Sequence, residues 1–519
     1  MSANLTPWAV PETWTWVLAG DFVDIVGGGT PSTANASNFE GGSVPWITPA
    51  DLSGFAAKYI GRGRRQITPG ALRNSAARLL PKGSVLFSSR APIGYVAIAS
   101  NPIATNQGFK SFVLPSGLDP EYVYYYLQRA KGLALALASG TTFQEISARQ
   151  AAKIPLAIAP AQEQGRIASA IDSYFSRLDD AVASLERAQR NLTRYRASVL
   201  KAAVEGRLVP TEAELARAEG REYEPASVLL ERILAERRRR WEEAELAKMK
   251  AKGKVPRDDG WKARYEEPVA PDTSELPELR DGWCWASVGQ LGEVVTGTTP
   301  STKDESLYGE EVPFFKPTDL DAGYNVINAR QFLSQRGAEH ARVLPVESVL
   351  VTCIGATIGK TGLSRVPCAT NQQINALVPE MSLRASRYLF WVFCSPFCQR
   401  HIVENASSTT LPILNKSRFE QLPVPLPPIS EQKRIVIEVE RIDSVERAVA
   451  ESNECEQHRV SRLRQSILKW AFEGSLVDQD PTDEPASKLL ERIKSERVAQ
   501  PVQSPVRHPR RATSKRKSR

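Results

Sequence analysis

Gly355-Ala356-Thr357-Ile358-Gly359-Lys360-Thr361 is the stretch nearest to a phosphate-cradling loop. Such a loop wraps backbone N–H groups around phosphates, and its length sets the wrap. A Walker loop has four residues between its glycines; this one has three, so a tight glycine turn is the better reading. Cys394, Cys398 and His401 stand at i, i+4 and i+7 on one helical face. They would offer a metal three ligands where a structural zinc site takes four, so buried thiols beside a histidine are expected and no metal. The chain has only four histidines, widely scattered, with no Ser-His-Asp arrangement. Gly27-Gly28-Gly29 lacks the third spaced glycine of a dinucleotide fingerprint. Asn101-Pro102 continues with Ile103-Ala104, not with the proline and aromatic residue of an amino-methylation motif. No catalytic residue is expected, and the chain is expected to perform no chemistry alone.

What the chain does carry is a long repeat. Trp14-Thr15-Trp16 returns as Trp283-Cys284-Trp285, and Gly29-Thr30-Pro31-Ser32 as Thr298-Thr299-Pro300-Ser301. Pro45-Trp46 with Asp51-Leu52 returns as Pro313-Phe314 with Asp319-Leu320, and Ala104-Thr105-Asn106-Gln107 as Ala369-Thr370-Asn371-Gln372. Ser198-Val199-Leu200-Lys201 returns as Ser466-Ile467-Leu468-Lys469, and Glu224-Pro225-Ala226-Ser227 as Glu484-Pro485-Ala486-Ser487. Two long copies mean two similar modules, not a solenoid of short units.

Each copy opens with a mixed segment of short β-like runs and Gly/Pro turns, for example Gly83–Phe87 and Glu347–Val351. A helical stretch is predicted near Glu121–Ala138 and again near Arg384–Val403, before a Pro-rich strip (Ile154–Pro160, Leu422–Pro428). The pattern then changes to heptads. The seam of the first copy reads Ile171, Phe175, Leu178, Val182, Leu185, Leu192 and Val199. The second reads Ile435, Val439, Ile442, Val449, Val460, Leu463, Ile467 and Trp470, interrupted by Glu446, Asn453 and Glu456. Each seam needs a partner helix, and the nearest is its own repeat. About 45 residues make a rod of roughly 65–70 Å. The expected fold is α+β: two globular domains joined by two long helices in an antiparallel coiled coil, with an internal pseudo-two-fold repeat. Boundaries are expected at 1–160 (first domain), 161–206 (first long helix), 207–280 (charged helical connector), 281–428 (second domain), 429–474 (second long helix), 475–500 (short C-terminal helical segment) and 501–519 (disordered basic tail).

The tail holds seven arginines and lysines and no acid, so of the net +8 only about +1 belongs to the other 500 residues. Any nucleic-acid surface must therefore be local. No apolar run reaches the roughly 18 residues of a membrane span, and no signal peptide is visible. All six cysteines lie in the second half, unmatched in the first, which suits a reducing cytoplasm better than a disulfide framework.

The doubled order, with each long helix entered by Glu163-Gln164 or Glu431-Gln432, resembles the specificity (S) subunit of type I restriction-modification systems. The resemblance spans nearly all of the chain except the tail. It implies a target-recognition domain in each half, each reading one half of a bipartite, asymmetric double-stranded DNA site. It also implies docking of two methyltransferase subunits on the helices, and of motor-nuclease subunits on the complex. S-adenosylmethionine, ATP and Mg would be bound by those partners, and no cofactor by this chain. Contacts to DNA are expected from Thr30, Ser32, Arg62, Arg64, Arg65, Arg90, Lys110, Thr141 and Thr142 in the first domain. In the second they are expected from Thr299, Ser301, Lys303, Lys316, Arg330, Lys360, Thr409, Thr410 and Lys416. Asn106-Gln107 and Asn371-Gln372 recur unchanged, which suits a scaffold better than discrimination. The rivals are a coiled-coil protein-interaction scaffold without DNA readout, and a nuclease with an unrecognised site.

Overall fold

The computed structural model describes residues 6–90, 92–140, 144–253, 258–380, 385–407 and 411–499. Thr141, Thr142, Thr409, Thr410 and the basic tail lie outside the described residues. The chain forms two compact units, Met1–Leu185 with Glu454–Arg519, and Glu186–Asn453.

In the first unit, strand Thr15–Leu18 pairs antiparallel with Pro155–Ile158, tying the start of the domain to its Pro-rich strip. Pro155 is the first residue of its strand, where a missing N–H is tolerated. A five-stranded sheet runs Asp24–Gly27, Lys110–Val113, Val85–Ser89, Ile93–Ala99, Tyr59–Ile60. A four-stranded sheet runs Arg65–Ile67, Val44–Ile47, Ile103–Thr105, Leu79–Leu80. The second unit repeats the plan. Cys284–Ser287 pairs with Pro423–Leu426, and a sheet of Gly292–Thr296, Ile374–Pro379, Val349–Thr352, Thr361–Leu363 accompanies one of Tyr308–Gly309, Phe332–Leu333, Val312–Phe315, Ala369–Thr370. The repeat holds to the residue: Trp46 pairs in parallel with Ala104, and Phe314 with Ala369.

Each predicted helical stretch is two helices. Pro120–Arg129 is followed by Lys131–Leu137, with Ala130 between them. Ser386–Cys394 is followed by Pro396–Glu404. Pro396 cannot extend a helix but suits its first turn, and Ser395 caps the new start by accepting from the Cys398 N–H. The cap of Pro120–Arg129 is Asp119, which accepts from Glu121 N at 2.7 Å. Tyr122 and Tyr126 of that helix are buried and donate to the carbonyls of Ala157 and Pro155 at 2.8 and 2.6 Å. A buried phenol needs such a partner.

The Glu-Gln pair is the joint between domain and helix. In the first unit Trp14 Nε1 donates to the buried Glu163 at 3.0 Å, and Gln164 Nε2 donates to Ala159 O at 2.9 Å. In the second, Trp283 Nε1 donates to the buried Glu431 at 3.0 Å, and Gln432 Nε2 to Pro427 O at 2.8 Å. Burial pushes both carboxyls above the ordinary range, against the hydrogen bonds that hold them down.

The long helices span Ala161–Val204 and Ile429–Phe472. Within the first unit Ile167, Ala168 and Ile171 share a core with Ile467, Leu468, Ala471 and Phe472. Further along, Arg464 pairs with Asp179 and covers the Phe175 ring at 4.9 Å. Within the second unit Val199, Leu200, Ala203 and Val204 pack with Ile435, Val439 and Ile442, and Arg196 meets Asp443 and Glu446 at 3.3 and 3.5 Å. Both halves run antiparallel. The polar interruptions are partnered: Asn453 is buried with Nδ2 3.5 Å from Gln189 Oε1.

Leu463 and Trp470 require correction. They are 37% and 48% exposed, while Ile467, Leu468, Ala471 and Phe472 are buried. A strict seven-residue repeat drifts about 20° per heptad against a straight helix. The covered stripe therefore passes through Val460, Arg464, Ile467 and Ala471. Leu178, Val182, Leu185, Leu192, Val449 and Val460 are half-buried.

The connector also docks. Helix Ala226–Ala251 places Ala226, Leu229 and Ile233 in the second domain's core. Its Arg237–Arg240 run is engaged: Arg237 donates to Gly289 O, Arg238 pairs with Glu242 and Glu267, Arg239 with Glu243, and Arg240 with Glu380. Helix Ala486–Ala499 does the same for the first domain, contributing Leu489, Leu490 and Ile493.

Candidate nucleic-acid interface

In each domain three loops meet at the end of one strand. In the first, that strand is Val44–Ile47. Ile47 O accepts from Asn106 N at 2.9 Å, and Trp46 Nε1 donates to Gly29 O at 3.0 Å. Gly29 N donates to Thr105 O at 2.9 Å. Gly28 lies so close that a Cβ would stand 1.9 Å from Asn106 O. This contact brings Thr30 onto the exposed Gln107, whose Oε1 its hydroxyl reaches. The Asn106 side chain is spent on the turn, accepting from Gly108 N at 2.9 Å.

The second domain builds the same corner at the end of Val312–Phe315. Phe315 O accepts from Asn371 N at 3.2 Å, Thr298 N donates to Thr370 O at 2.9 Å, and Thr299 reaches the exposed Gln372. Asn371 is buried and holds Gln373 at 2.9 and 3.2 Å. The recurring asparagines are thus occupied by the scaffold, while the recurring glutamines face outward beside a threonine.

An aspartate aims the basic loop at each corner. Asp51 accepts from Thr48 N at 2.8 Å and from Arg64 N at 2.9 Å. Asp319 accepts from Lys316 N at 2.8 Å and from Arg330 N at 3.3 Å. Reading for basic and hydroxyl residues missed both aspartates, although their Asp-Leu recurrence was the available signal. Arg64 and Arg330 are exposed beside them. Arg65 lies over the Phe39 ring at 4.0 Å. With the Gln66 amide turned so that its oxygen faces Arg62, that oxygen accepts at 2.7 and 2.8 Å. Ser32, Ser301 and Lys303 are exposed on the loops that follow the corner threonines. Lys316 Nζ lies 5.8 Å above the Phe314 ring.

Four other basic candidates are tied to acids. Lys110 points inward, 12% exposed, to Ser89 Oγ at 3.2 Å, Gln107 O at 3.3 Å and Glu145 at 3.5 Å. It is a strut under the corner, not an open phosphate ligand. Arg90 shares Glu145 at 3.8 Å, Lys360 pairs with Asp321 at 2.5 Å, and Lys416 with Glu420 at 3.6 Å. Glu145 had no signal in the sequence. Cys394, Cys398 and His401 sit on two different helices, which breaks the single face assumed for them. Burial raises both thiols, Cys394 to about 12. Among the described residues no group of three or more His, Cys, Asp and Glu is placed to hold a metal ion.

Cation-bearing loops at exposed corners neutralise phosphates and release counterions, so their removal should flatten the salt dependence of binding. The double substitution Arg64→Ala, Arg65→Ala is expected to weaken DNA binding by the assembled complex and to lower the slope of log K against log salt by about 1–2. Titrations at several salt concentrations check it; unchanged affinity and slope would remove both residues from the interface.

Known proteins share this doubled design. The model of the type I restriction modification DNA specificity domain matches residues 11–186 and again 280–456. The type I restriction enzyme MjaIX specificity subunit of Methanocaldococcus jannaschii is 26% identical over 424 residues, covering 81% of this chain and 84% of that protein. The EcoDI specificity subunit of Escherichia coli is 24% identical over 507 residues, covering 94% and 96%. Among solved structures, the HsdS subunit from Thermoanaerobacter tengcongensis shares the fold at TM-score 0.52 and 17% identity, covering 91% of this chain and all of that one. A chain solved in work on assembly and conformational transition of the type I R-M system aligns at TM-score 0.61 and 18% identity, covering 90% and 100%. With both copies matched over more than half its length, the chain belongs to the family of type I restriction-modification DNA specificity subunits.

Proposed function

We propose that the first domain reads one half of a bipartite double-stranded DNA site and the second domain the other, with the long helices setting the unread spacer. The observation that carries this is the pair of equivalent corners, Thr30–Gln107–Arg64 and Thr299–Gln372–Arg330, built on the same hydrogen bonds but flanked by different side chains. Equal scaffolds with unequal surfaces suit two unequal half-sites. The contacts at each corner come from the threonines, serines and exposed cations named above, Arg330 among them although it lies 3.9 Å from Asp319, with Thr141, Thr142, Thr409 and Thr410 as further candidates. Two weak half-site contacts on one chain become one strong event through effective concentration.

On this reading two methyltransferase subunits dock on the long helices and bring S-adenosylmethionine. Motor-nuclease subunits bring ATP and Mg, and the assembly works in the cytoplasm. No helix among the described residues is long and apolar enough to cross a membrane.

Mapping modified bases in the host genome with and without this gene tests the proposal. Loss of one bipartite adenine-methylation motif on deletion is the expected result; survival of every such motif would overturn it. Exchange of residues 1–155 for the first domain of another family member should change one half of the motif and leave the other. Changes in both halves would refute modular reading.

A further inference from the structure

The second unit has a cleft of about 580 Å³ at the end of the first long helix, lined by Val204, Pro277, Trp285, Phe397 and Arg400 among others. At the equivalent place of the first unit the chain brings in an indole. There, Trp8 packs edge-on against Trp16 at 5.1 Å, lies 4.7 Å beneath the Arg129 guanidinium, and donates from Nε1 to Phe472 O at 2.6 Å.

The equivalences are fixed by the repeat. Trp285 stands for Trp16, Val204 for Phe472, and Pro277 for Trp8, while Phe397 comes from the helix Pro396–Glu404. Packing agrees: Gly474 abuts Pro11, and Gly206 abuts the aligned Arg280. Proline at 277 cannot supply the indole. The last helix carbonyl, Val204 O, receives no hydrogen bond from the described residues, whereas Phe472 O is capped by Trp8. A terminal helix carbonyl is satisfied by water or by a donor from outside the helix, so this one is open to a donor that enters the cleft. Trp285 and Phe397, stacked at 5.5 Å, form an aromatic floor.

We propose that this cleft binds a tryptophan side chain presented by an extended segment of a partner polypeptide. The indole would stack on the Trp285–Phe397 floor and donate to Val204 O, as Trp8 does to Phe472 O. The rim selects polypeptide over nucleic acid. Glu205, Glu214, Glu278 and Asp281 line the cleft beside Arg207, Arg217, Arg280 and Arg400, with Arg207 paired to Glu205 and Arg217 to Asp281 at 3.4 Å, so the cleft offers phosphates no net positive charge.

The test uses the full chain and a synthetic peptide of residues 6–12, the segment that fills the first unit's site, carrying 5-fluorotryptophan for ¹⁹F NMR. Saturable binding with Kd of about 1 mM or tighter is expected for so small a ligand. Trp285→Ala should weaken it at least about tenfold. Pro277→Trp, which puts an indole where the first unit has one, should abolish peptide binding and raise the melting temperature. The second variant decides the matter if the first fails to fold. Absence of saturation by about 10 mM, binding untouched by Pro277→Trp, or loss of binding in Trp16→Ala alone would overturn the proposal, the last by marking exchange at the first unit. Displacement of the peptide by a DNA oligonucleotide would also overturn it.

Discussion

Replacing Gly28 with alanine should cost the first unit about 3 kcal/mol or more and remove reading of its half-site. The added Cβ would stand 1.9 Å from Asn106 O and 2.5 Å from Thr105 O. Both are backbone atoms in hydrogen bonds, so neither can move like a side-chain tip. The loop must lift, which breaks the Gly29–Thr105 bond and carries Thr30 away from Gln107. Gly297→Ala meets Asn371 O and Thr370 O at 2.2 and 2.4 Å, so it should do the same to the second unit. Gly132→Ala is the control. It lies in helix Lys131–Leu137 with nothing within 4 Å of the new Cβ, and should stabilise by roughly 0.5–1 kcal/mol. Thermal unfolding gives the stabilities, and binding to DNA altered in one half-site at a time locates the functional loss. Normal half-site reading by a folded Gly28→Ala chain would remove the corner from the interface.

How far the sequence reveals this arrangement depends on whether a feature is local. The long helices are legible because their heptads and Pro-rich borders are contiguous. Their exact covered stripe is not: a strict period of seven puts Trp470 in the seam and Leu463 beside it, where the helix buries Ile467 and Ala471 and leaves Leu463 at the edge. The corners were legible in part. Thr30, Arg64, Thr299 and Arg330 stand out by residue type, and the recurrence of Asn106-Gln107 as Asn371-Gln372 suits a scaffold, a role the asparagines fill while the glutamines face outward. What could not be read were partners distant in sequence. Glu145 draws Lys110 inward across 35 positions. Asp321 holds Lys360. Such pairs depend on tertiary placement, which a charge count does not register. The docking of Ala226–Ala251 was hidden for the same reason: its arginine run suits a solvated face equally well.

The second large effect concerns the helix Ala486–Ala499. Ending the chain after Pro485 should lower the stability of the first unit by about 3 kcal/mol or more, a shift of several degrees in its melting transition. Ending it after residue 500 should leave that transition in place. The difference isolates Leu489, Leu490 and Ile493, each no more than 4% exposed and packed in the same core as Phe22 and Leu118. Polar contacts accompany them. Ala486 N donates to Thr13 O at 2.9 Å, Arg497 to Asp21 O at 2.8 Å, and Lys494 lies 5.2 Å above the Phe22 ring. Leu489→Ala alone should cost about 2–3 kcal/mol. Its Cδ1 abuts Gly117, which has no side chain to fill the hole. Because the helix is held by packing, a synthetic peptide of residues 484–499 added to the shortened chain should restore the first transition in proportion to its concentration. A shortened chain that melts like the full one would mean that this helix rests on the first domain without supporting it.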